Sequence, residues 1–154
     1  MSIISINFES PAQADVTKLI AELDVYQSGL YPPESHHALD LTTVAAEQML
    51  FAVARDATGV AIGCGAVVLM PGYGELKRMY VRPGNRGLGV ARKILLLLES
   101  TAKHAGCTLL KLETGPYQPE AIGLYELCGY ARRAPFGSYS DDPLSVFMQK
   151  KLVG

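Results

Sequence analysis

The 154-residue chain lacks a long apolar run, a surplus of one charge and a pattern of paired cysteines. Its apolar runs, such as residues 94–98, are far short of the roughly 20 residues that cross a bilayer. The first ten residues do not combine a charged region with an apolar core, so we expect a cytoplasmic protein without a membrane partner. The 14 basic and 15 acidic residues give a formal charge of −1 without runs of like charge, and nothing favours a nucleic-acid partner.

The three cysteines, Cys64, Cys107 and Cys128, are odd in number, widely spaced and set among apolar neighbours. This pattern favours buried free thiols over a disulfide, a metal site or a nucleophile. The adjacent His36 and His37 have no third ligand nearby, so we expect no metal. The length suits a single domain over residues 1–154, which would bury about two thirds of the surface that the unfolded chain exposes.

What the sequence does contain is a strand, a glycine loop and a long helix in immediate succession, over residues 75–105. We predict the strand over residues 75–81 and a turn around Pro83 and Gly84. Apolar residues then recur in steps of three and four, which is typical of a helix with one buried face. The positions on that face are Leu88, Ala91, Leu95, Leu98, Ala102 and Ala105.

The first turn of this helix is a candidate phosphate site. Its leading N–H groups have no acceptor within the helix and lie at the positive end of the helix dipole. Gly87 and Gly89 lack side chains that would keep a ligand off the backbone, and Arg86 adds positive charge. An ordinary strand-to-helix turn, whose glycines only relieve strain, is the alternative.

Two familiar phosphate loops do not fit this segment. A dinucleotide fingerprint needs a third glycine where Arg92 stands. A Walker loop needs Lys and then Ser or Thr, whereas Val90 and Ala91 follow Gly89. The sequence therefore disfavours a nucleotide-binding protein.

The whole chain predicts an α/β fold with the order β-α-(α)-β-β-β-α-β-α-β-β. Two tight turns make a meander of the three middle strands, and the long helix then makes the next strand parallel to the one before it. The remaining strands are expected at residues 4–8, 50–55, 60–70, 109–113 and 145–151, the last beside 131–136. A first helix is expected after Ser10 as N-cap, with Pro11 at its first position and an apolar stripe of Val16, Leu19, Ile20 and Leu23. Further helices are expected at 120–128 and, as a short one, at 42–48.

Residues 26–40 are rich in functional groups, and Pro32 and Pro33 interrupt any regular element there. We consider this segment a candidate substrate lid, with Tyr31, Glu34, His36 and His37 as residues of interest. The alternative is a rigid surface connection whose tyrosines cover the core.

Two motifs resemble the GNAT superfamily of acyl-CoA-dependent N-acetyltransferases. Arg86, Gly89 and Ala91 spell R-x-x-G-x-A, which is similar to the family's pyrophosphate loop, and residues 121–130 (AIGLYELCGY) are similar to its A-x-x-L-Y-E-K-L-G-F. The resemblance covers residues 75–130. It implies an α/β, GNAT-like fold, with a mixed, mostly antiparallel central sheet flanked by helices and with splayed parallel strands four and five.

The resemblance also implies an acyltransferase that uses acetyl-CoA as co-substrate and no metal. In the family, the pantetheine arm inserts between the splayed strands and pairs with their backbone. The main chain at Met79 and Val81 would bind this arm, while Gln118 stands where many members have Asn. The coenzyme-contacting residues implied by position are Met79, Tyr80, Val81, Arg86, Gly87, Leu88, Gly89, Val90, Ala91 and Gln118.

Amine acetylation needs a base, because an alkylammonium of pKa about 10.4 is neutral only about once in a few thousand molecules at pH 7. Glu75 occupies the position of a carboxylate that deprotonates the amine in many members, although a solvated charge at a strand end is the alternative. Glu34 and Glu113 are lesser candidates for the base. Tyr125 matches the family's general acid, and N–H groups near Met79 would stabilise the oxyanion.

For the acceptor we expect a primary amine on a small molecule, such as an amino acid, attacking the thioester directly in a ternary complex. Lys77 and Arg78 alternate on their strand, so one should face the acceptor groove. Arg78 then pairs a substrate carboxylate or, as the alternative, forms a surface salt bridge. The candidate acceptor-binding residues are Tyr31, Glu34, His36, Arg78, Glu113 and Tyr139.

A second function stays open beside the enzyme, namely a non-catalytic acyl-CoA-binding sensor or regulatory module. Such a binder needs neither Glu75 nor Tyr125, so the presence of both favours the enzyme. By analogy with the family alone, we also expect a homodimer formed through the last strands.

Overall fold

The computed structural model describes residues 3–35 and 40–152. His36 and His37 lie outside these ranges. No helix of the described ranges has the length and hydropathy to cross a bilayer. Helices and strands follow one another in the order β1 (Ser5–Phe8), α1 (Ala14–Leu30), β2 (Met49–Arg55), β3 (Ala61–Met70), β4 (Tyr73–Val81), α2 (Val90–His104), β5 (Leu109–Thr114), α3 (Pro119–Leu127), β6 (Ala131–Arg133) and β7 (Val146–Lys151).

The strands form one seven-stranded sheet in the spatial order β1-β2-β3-β4-β5-β7-β6. Every neighbouring pair is antiparallel except β4 and β5, which are parallel because α2 carries the chain back along the sheet between them. The predicted mixed, mostly antiparallel sheet with flanking helices is therefore confirmed.

Each face of the sheet is covered by its own helix. The fully buried Val16, Leu19 and Leu23 of α1 pack on one face, over β2, β3 and β4. The α2 residues Ile94, Leu95 and Leu98 are 0% exposed and pack on the other face. Both helices thus bury one apolar stripe, as amphipathic helices on a sheet do.

β4 and β5 pair over only three positions before they separate. The paired residues are Gly74, Glu75 and Leu76 opposite Leu110, Lys111 and Leu112. β4 then continues to Val81 and β5 to Thr114 without pairing to each other. The predicted splay of these two strands is present, and it opens a gap in the sheet.

A buried carboxylate ties α2 to the C-terminal strand. Glu99 is 7% exposed; it accepts a hydrogen bond from the Tyr130 hydroxyl at 2.7 Å and pairs with Lys150 on β7 at 3.0 Å. A buried charge with both partners present is stabilised, whereas removing one partner would leave it uncompensated. The network fixes α2 on the side of the sheet that lies opposite α1.

The helix begins two residues later than the first position predicted on its buried face. Leu88 precedes α2 and is 51% exposed, and Ala105 is its C-cap, so neither belongs to the buried face. Val90 and Ile94 occupy that face instead. Gly89, with φ of 74°, turns the chain just before the helix, and this conformation breaks the continuity that the apolar spacing suggested.

Candidate active site

Two cavities meet in the gap between β4 and β5. The larger, of about 450 Å³, runs from the gap to the start of α2, and we call it the coenzyme cavity. The smaller, of about 100 Å³, lies on the side of the gap where α1 ends, and we call it the acceptor cavity. Residues that line both mark the junction: Leu23, Met79, Gln118, Ala121 and Tyr125.

The outer end of the coenzyme cavity is a main-chain cradle. Gly87 and Gly89 have φ values of 82° and 74°, and a Cβ built on either would meet nothing within 4 Å. Gly89 is the N-cap of α2 and gives no side-chain cap, so the leading N–H groups of a 15-residue helix face the cavity without one. Exposed amides at a positive helix end fit a pyrophosphate.

Arg86 brings fixed positive charge to the mouth of this cradle. Its Nε donates to the Val81 carbonyl at 3.1 Å, and its guanidinium lies 5.6 Å from the centre of the Tyr26 ring on α1. Tyr26 and Arg86 both line the coenzyme cavity. The guanidinium is therefore positioned beside the amides rather than left to rotate freely.

A bulge in β4 turns a main-chain amide toward the gap. The register jumps from Cys64 opposite Tyr80 to Ala66 opposite Lys77, so Arg78 and Met79 together face Gly65. Arg78 has a φ of 59°, which is rare for a residue with a side chain.

The direction of the Met79 amide follows from its neighbour's carbonyl. The Arg78 carbonyl accepts a hydrogen bond from the Cys64 thiol at 3.2 Å. Because the following peptide is planar and trans, the Met79 N–H points away from Cys64. The Met79 side chain packs on Gly65, where a Cβ would lie 2.3 Å from its sulfur, so this residue offers a ligand its main chain.

Tyr125 of α3 lines both cavities and is 6% exposed. Its ring packs edge-on against Tyr130, with 5.7 Å between centroids. Burial, and next the nearby Cys128, raise the pKa of the Tyr125 phenol, so it stays protonated at neutral pH. Its hydroxyl makes no hydrogen bond with the residues that the structure describes, which leaves it available to a ligand.

Glu75 lies in the acceptor cavity within a compact group of three polar side chains. Its Oε2 accepts a hydrogen bond from the Tyr139 hydroxyl at 2.5 Å and pairs with Lys77 Nζ at 3.1 Å. Lys77 also donates to the Tyr139 hydroxyl at 2.8 Å, which closes the triangle. Burial first, and the bond to Glu75 second, raise the pKa of Tyr139.

An aromatic cluster holds Tyr139 over the sheet. Its ring lies 5.1 Å from that of Phe136 and 5.5 Å from that of Phe147, both at steep angles. Tyr73 joins at the edge of Phe136, and Lys111 lies 4.2 Å from the Tyr73 ring centre. The segment between β6 and β7 is thus anchored by edge-to-face contacts, and it carries Tyr139 to Glu75.

Glu113 is the second carboxylate in the acceptor cavity. It stands on β5, directly after Leu112, the last residue of that strand to pair with β4. Burial is the main reason that its pKa is raised to about 7, far above the ordinary glutamate value.

Tyr31 separates the acceptor cavity from the turn after β5. Its ring stacks on Tyr117 at 5.3 Å, and its hydroxyl accepts a hydrogen bond from the Tyr117 N–H at 3.1 Å. A Cβ on Gly115 would lie 1.9 Å from that hydroxyl oxygen, so only glycine fits beneath the ring. Tyr31 lines the acceptor cavity and Tyr117 the coenzyme cavity, so their stack connects the two.

Lys77 and Arg78 share the acceptor cavity, and the guanidinium of Arg78 forms the salt bridge that was the alternative for it. Both line the acceptor cavity, because the bulge breaks the alternation of the strand. Arg78 forms a short ion pair with Asp24 on α1. The cationic side of the cavity is therefore already paired within the chain.

The structure brings most of the predicted residues together and leaves three outside. Leu88 and Glu34 are exposed and line neither cavity, and His36 is outside the described residues. The remaining predicted coenzyme-contacting residues all line the coenzyme cavity, although the side chain of Tyr80 packs beneath α1. Tyr31, Arg78, Glu113 and Tyr139 all line the acceptor cavity.

Sequence reasoning missed Ser35, Tyr117 and the pairing of Lys77 with Glu75. Lys77 shares a strand face with Glu75 two positions earlier, and that spacing could have indicated their pairing. Ser35 lines the acceptor cavity and donates to Asp142 at 2.8 Å, which joins the segment after α1 to the segment before β7. Neither this bond nor the stack on Tyr117 has a local sequence signal, because both join distant segments.

Metal ligands do not cluster in this part of the molecule. Within residues 3–35 and 40–152, no three His, Cys, Asp or Glu side chains converge as a metal site would need. The cysteines are all free, Cys64 is fully buried, and burial raises the pKa of its thiol to about 12. The expectation that no metal takes part stays a prediction.

Known proteins share both the sequence and the architecture of this chain. The profile of the Acetyltransferase (GNAT) family matches residues 17–130. An IAA acetyltransferase of Azospirillum brasilense is 49% identical over 97% of this chain and 98% of its own length.

Solved structures agree with these sequence matches. A structure from Klebsiella pneumoniae, assigned to the acyl-CoA N-acyltransferases, superposes with a TM-score of 0.89 at 39% identity, covering 98% of this chain and 99% of that one. The PaiA N-acetyltransferase of Thermoplasma acidophilum, solved in complex with coenzyme A, shares the fold with a TM-score of 0.72 at 20% identity over 97% of this chain and 99% of that one.

Proposed function

Because this chain belongs to the GNAT family of acetyltransferases and is an acyltransferase that uses an acyl-CoA, we propose that it moves an acetyl group from acetyl-CoA to a primary amine. The acceptor is a small molecule, such as an amino acid, and it attacks the thioester directly while both substrates are bound. The observation that carries this proposal is the junction of two cavities in the gap between β4 and β5.

The coenzyme cavity supports binding of acetyl-CoA in one direction. The pyrophosphate binds the amides at Gly87 to Ala91 with help from Arg86, and the pantetheine arm follows the main chain of Met79 and Val81 into the gap. Beyond Leu76, the backbone of β4 does not pair with β5, so its N–H and C=O groups on that side can form hydrogen bonds with the pantetheine arm. The thioester then lies near the junction of the cavities.

At the junction, Met79 N–H acts on the thioester oxygen and Tyr125 on the thioester sulfur. The N–H, which points away from Cys64, donates to the thioester oxygen and stabilises the negative charge that develops there. The Tyr125 hydroxyl, which no described residue engages, gives its proton to the departing thiolate. Two carboxylates, Glu75 and Glu113, line the acceptor cavity and can take the proton of the amine.

The acceptor cavity limits the size and charge of the substrate. It has room for a compact molecule, and its polar lining combines cations with carboxylates. An amine binds a carboxylate, and a substrate carboxylate lies beside Lys77 and Arg78, which keep their ion pairs with Glu75 and Asp24. This combination favours an amino acid or a similar small acidic amine.

An assay of thiol release tests the proposal. Purified protein is incubated with acetyl-CoA and each member of a panel of amino acids and polyamines, and free CoA is measured against time. We expect amine-dependent CoA release and an acetylated amine in the mass spectrum. Binding of acetyl-CoA without amine-dependent release would contradict the enzyme and favour a sensor of acyl-CoA.

IAA belongs in the same panel as the second candidate acceptor. The relative from A. brasilense, 49% identical to this chain, is an IAA acetyltransferase. If CoA is released with IAA and with none of the amines, the proposed amine acceptor is wrong and IAA takes its place, while the acetyltransferase activity stands.

A further inference from the structure

We propose that Glu113 is the catalytic residue that takes the proton from the acceptor amine, and that Glu75 is a positioning residue that holds Lys77 and Tyr139. This inference rests on the proposed acetyl transfer to an amine. It concerns the choice between two carboxylates that line the same cavity.

The first argument is that Glu75 is already engaged. It is 7% exposed, and its Oε2 contacts both the Tyr139 hydroxyl at 2.5 Å and Lys77 Nζ at 3.1 Å. An ammonium group that approached this oxygen would have to displace one of them. Since Lys77 also donates to Tyr139, displacing one partner disturbs the whole triangle.

The second argument is the position of Glu113 at the edge of the gap. It follows Leu112, whose pairing with Leu76 is the last between β4 and β5, so it lies where the gap opens. It lines the same cavity as Met79 and Tyr125, which flank the thioester in the proposed complex. Among the ion pairs of the described residues, none involves Glu113.

The third argument is that the surroundings of Glu113 leave its charge poorly compensated. Burial raises its pKa to about 7, which suits a group that must accept a proton near neutral pH. The carboxylates raise this pKa further, whereas Lys77 and the Ser145 hydroxyl lower it. The groups that face it come from three segments: Glu75 and Lys77 on β4, Tyr31 after α1, and Tyr139, Asp142 and Ser145 before β7.

The proton balance of the step is complete with these residues. The alkylammonium gives one proton to the Glu113 carboxylate, and the neutral nitrogen bonds to the thioester carbon. The C–S bond breaks, the thiolate accepts the proton of Tyr125, and the second proton of the attacking nitrogen returns to Tyr125. The products are the amide, the CoA thiol and one proton, which Glu113 releases to solvent.

Rate measurements against pH test the assignment. We would compare wild type, Glu113→Gln and Glu75→Gln between pH 5.5 and 9, with saturating acetyl-CoA and the best amine of the panel. We expect the wild-type kcat to fall on the acid side with an apparent pKa near 7. Glu113→Gln should lose this acid limb and about 10²- to 10⁴-fold in kcat, with unchanged acetyl-CoA affinity.

Glu75→Gln should give the opposite pattern. It should keep the acid limb and mainly raise the KM of the amine, because it loosens Lys77 and Tyr139. Glu126→Gln, on the exposed side of α3, is the matched control and should behave as wild type. An acid limb that survives in Glu113→Gln, or that only Glu75→Gln removes, would overturn the inference.

A second measurement does not depend on activity. In protein labelled with ¹³C at glutamate side-chain carboxyls, one resonance should titrate near pH 7 and disappear in Glu113→Gln. If no glutamate of the wild type titrates there, the inference is wrong. If no amine gives CoA release with wild type, the proposed amine acetylation fails and this inference fails with it, whereas release that Glu113→Gln retains in full removes the inference alone.

Discussion

Tyr125 and Tyr130 have touching rings and opposite hydrogen-bonding situations. The Tyr130 hydroxyl donates to the buried Glu99, while the Tyr125 hydroxyl has no partner among the described residues and lines both cavities. The same chemical change, removal of one hydroxyl, should therefore have different consequences at the two positions.

We expect Tyr125→Phe to lower kcat by about 10²-fold or more, because the thiolate loses its proton donor. The acetyl-CoA Kd should stay unchanged, and the free energy of unfolding should change by no more than about 0.5 kcal/mol because no hydrogen bond is lost. Steady-state kinetics, calorimetric titration and urea unfolding measure the three quantities.

Tyr130→Phe is the matched control. It leaves Glu99 without one of its two partners, which should cost about 1–3 kcal/mol of stability while kcat is retained. If Tyr125→Phe kept its kcat, Tyr125 would have no part in proton transfer.

Gly115 offers a test of the contact between the two cavities. In Gly115→Ala the new Cβ would stand 1.9 Å from the Tyr31 hydroxyl, so the ring has to move off Tyr117. We expect a loss of about 1–3 kcal/mol in the free energy of unfolding, as for other overpacked sites. The KM of the amine should rise, since Tyr31 lines the acceptor cavity.

Gly123→Ala serves as its control on α3. A Cβ there meets nothing within 4 Å, and alanine in a helix should add about 0.5–1 kcal/mol of stability. Equal KM values for the two alanine variants would show that the position of Tyr31 does not matter to the acceptor.

At the scale of elements, two glycine substitutions can distinguish the cost of backbone strain from the loss of acetyl-CoA binding at the cradle before α2. Gly89 and Gly59 both have positive φ, of 74° and 88°, and a Cβ on either meets no protein atom within 4 Å. Alanine at each should cost about 1–2 kcal/mol of stability for the left-handed conformation alone.

Only one of these two glycines lies where a phosphate would bind. Gly89→Ala should therefore weaken acetyl-CoA binding at least about tenfold, or ~1.4 kcal/mol, because its methyl occupies the cradle. Gly59→Ala, on the turn between β2 and β3, should bind as wild type. Calorimetric titration of both variants decides the point, and equal affinities would mean that the pyrophosphate binds elsewhere.

The order and type of the elements could be read from the sequence because apolar periodicity reports which side of each element is buried. β2, β3 and β5 lie within two residues of the predicted bounds. The bulge at Arg78 and Met79 could not be read in the same way, because it depends on Gly65 of the neighbouring strand. It places Lys77 and Arg78 together along the acceptor cavity, which the alternation of a regular strand does not predict.

The ends of α1 were also beyond local signals. Ser10 does not cap the helix, which begins at Ala14, and the helix continues to Leu30, through the first third of the segment expected to be a lid. Contacts with β3 and β4 bury Leu23, and Asp24 pairs with Arg78, so tertiary packing extends the helix. What remains of that segment still supplies Tyr31 and Ser35 to the acceptor cavity.

At the scale of the whole molecule, Glu113 should make stability depend on pH in an unusual direction. Its pKa is about 7 in the folded protein, above the ordinary 4.5, so the folded state holds this proton more tightly than the unfolded chain. The stabilisation is fully present below pH 4.5 and is lost as the pH rises to about 7, on the order of 3 kcal/mol.

Urea unfolding between pH 4.5 and 8 checks this expectation. The stability of wild type relative to Glu113→Gln should fall across that interval and level off above pH 7, while Glu126→Gln follows wild type throughout. A constant difference between wild type and Glu113→Gln would show that the carboxyl titrates normally in the folded protein.

The short ladder between β4 and β5 has a consequence for the protein when its coenzyme is absent. Three residue pairs join the four-stranded half of the sheet to the three-stranded half. Beyond them, β4 and β5 face each other across the gap with unpaired backbone edges. Unpaired strand edges can form hydrogen bonds with strands of other protein molecules and so promote aggregation. Bound coenzyme A would occupy these edges. Protein saturated with it should therefore show slower amide hydrogen exchange in β4 and β5, and should aggregate more slowly, than protein without it.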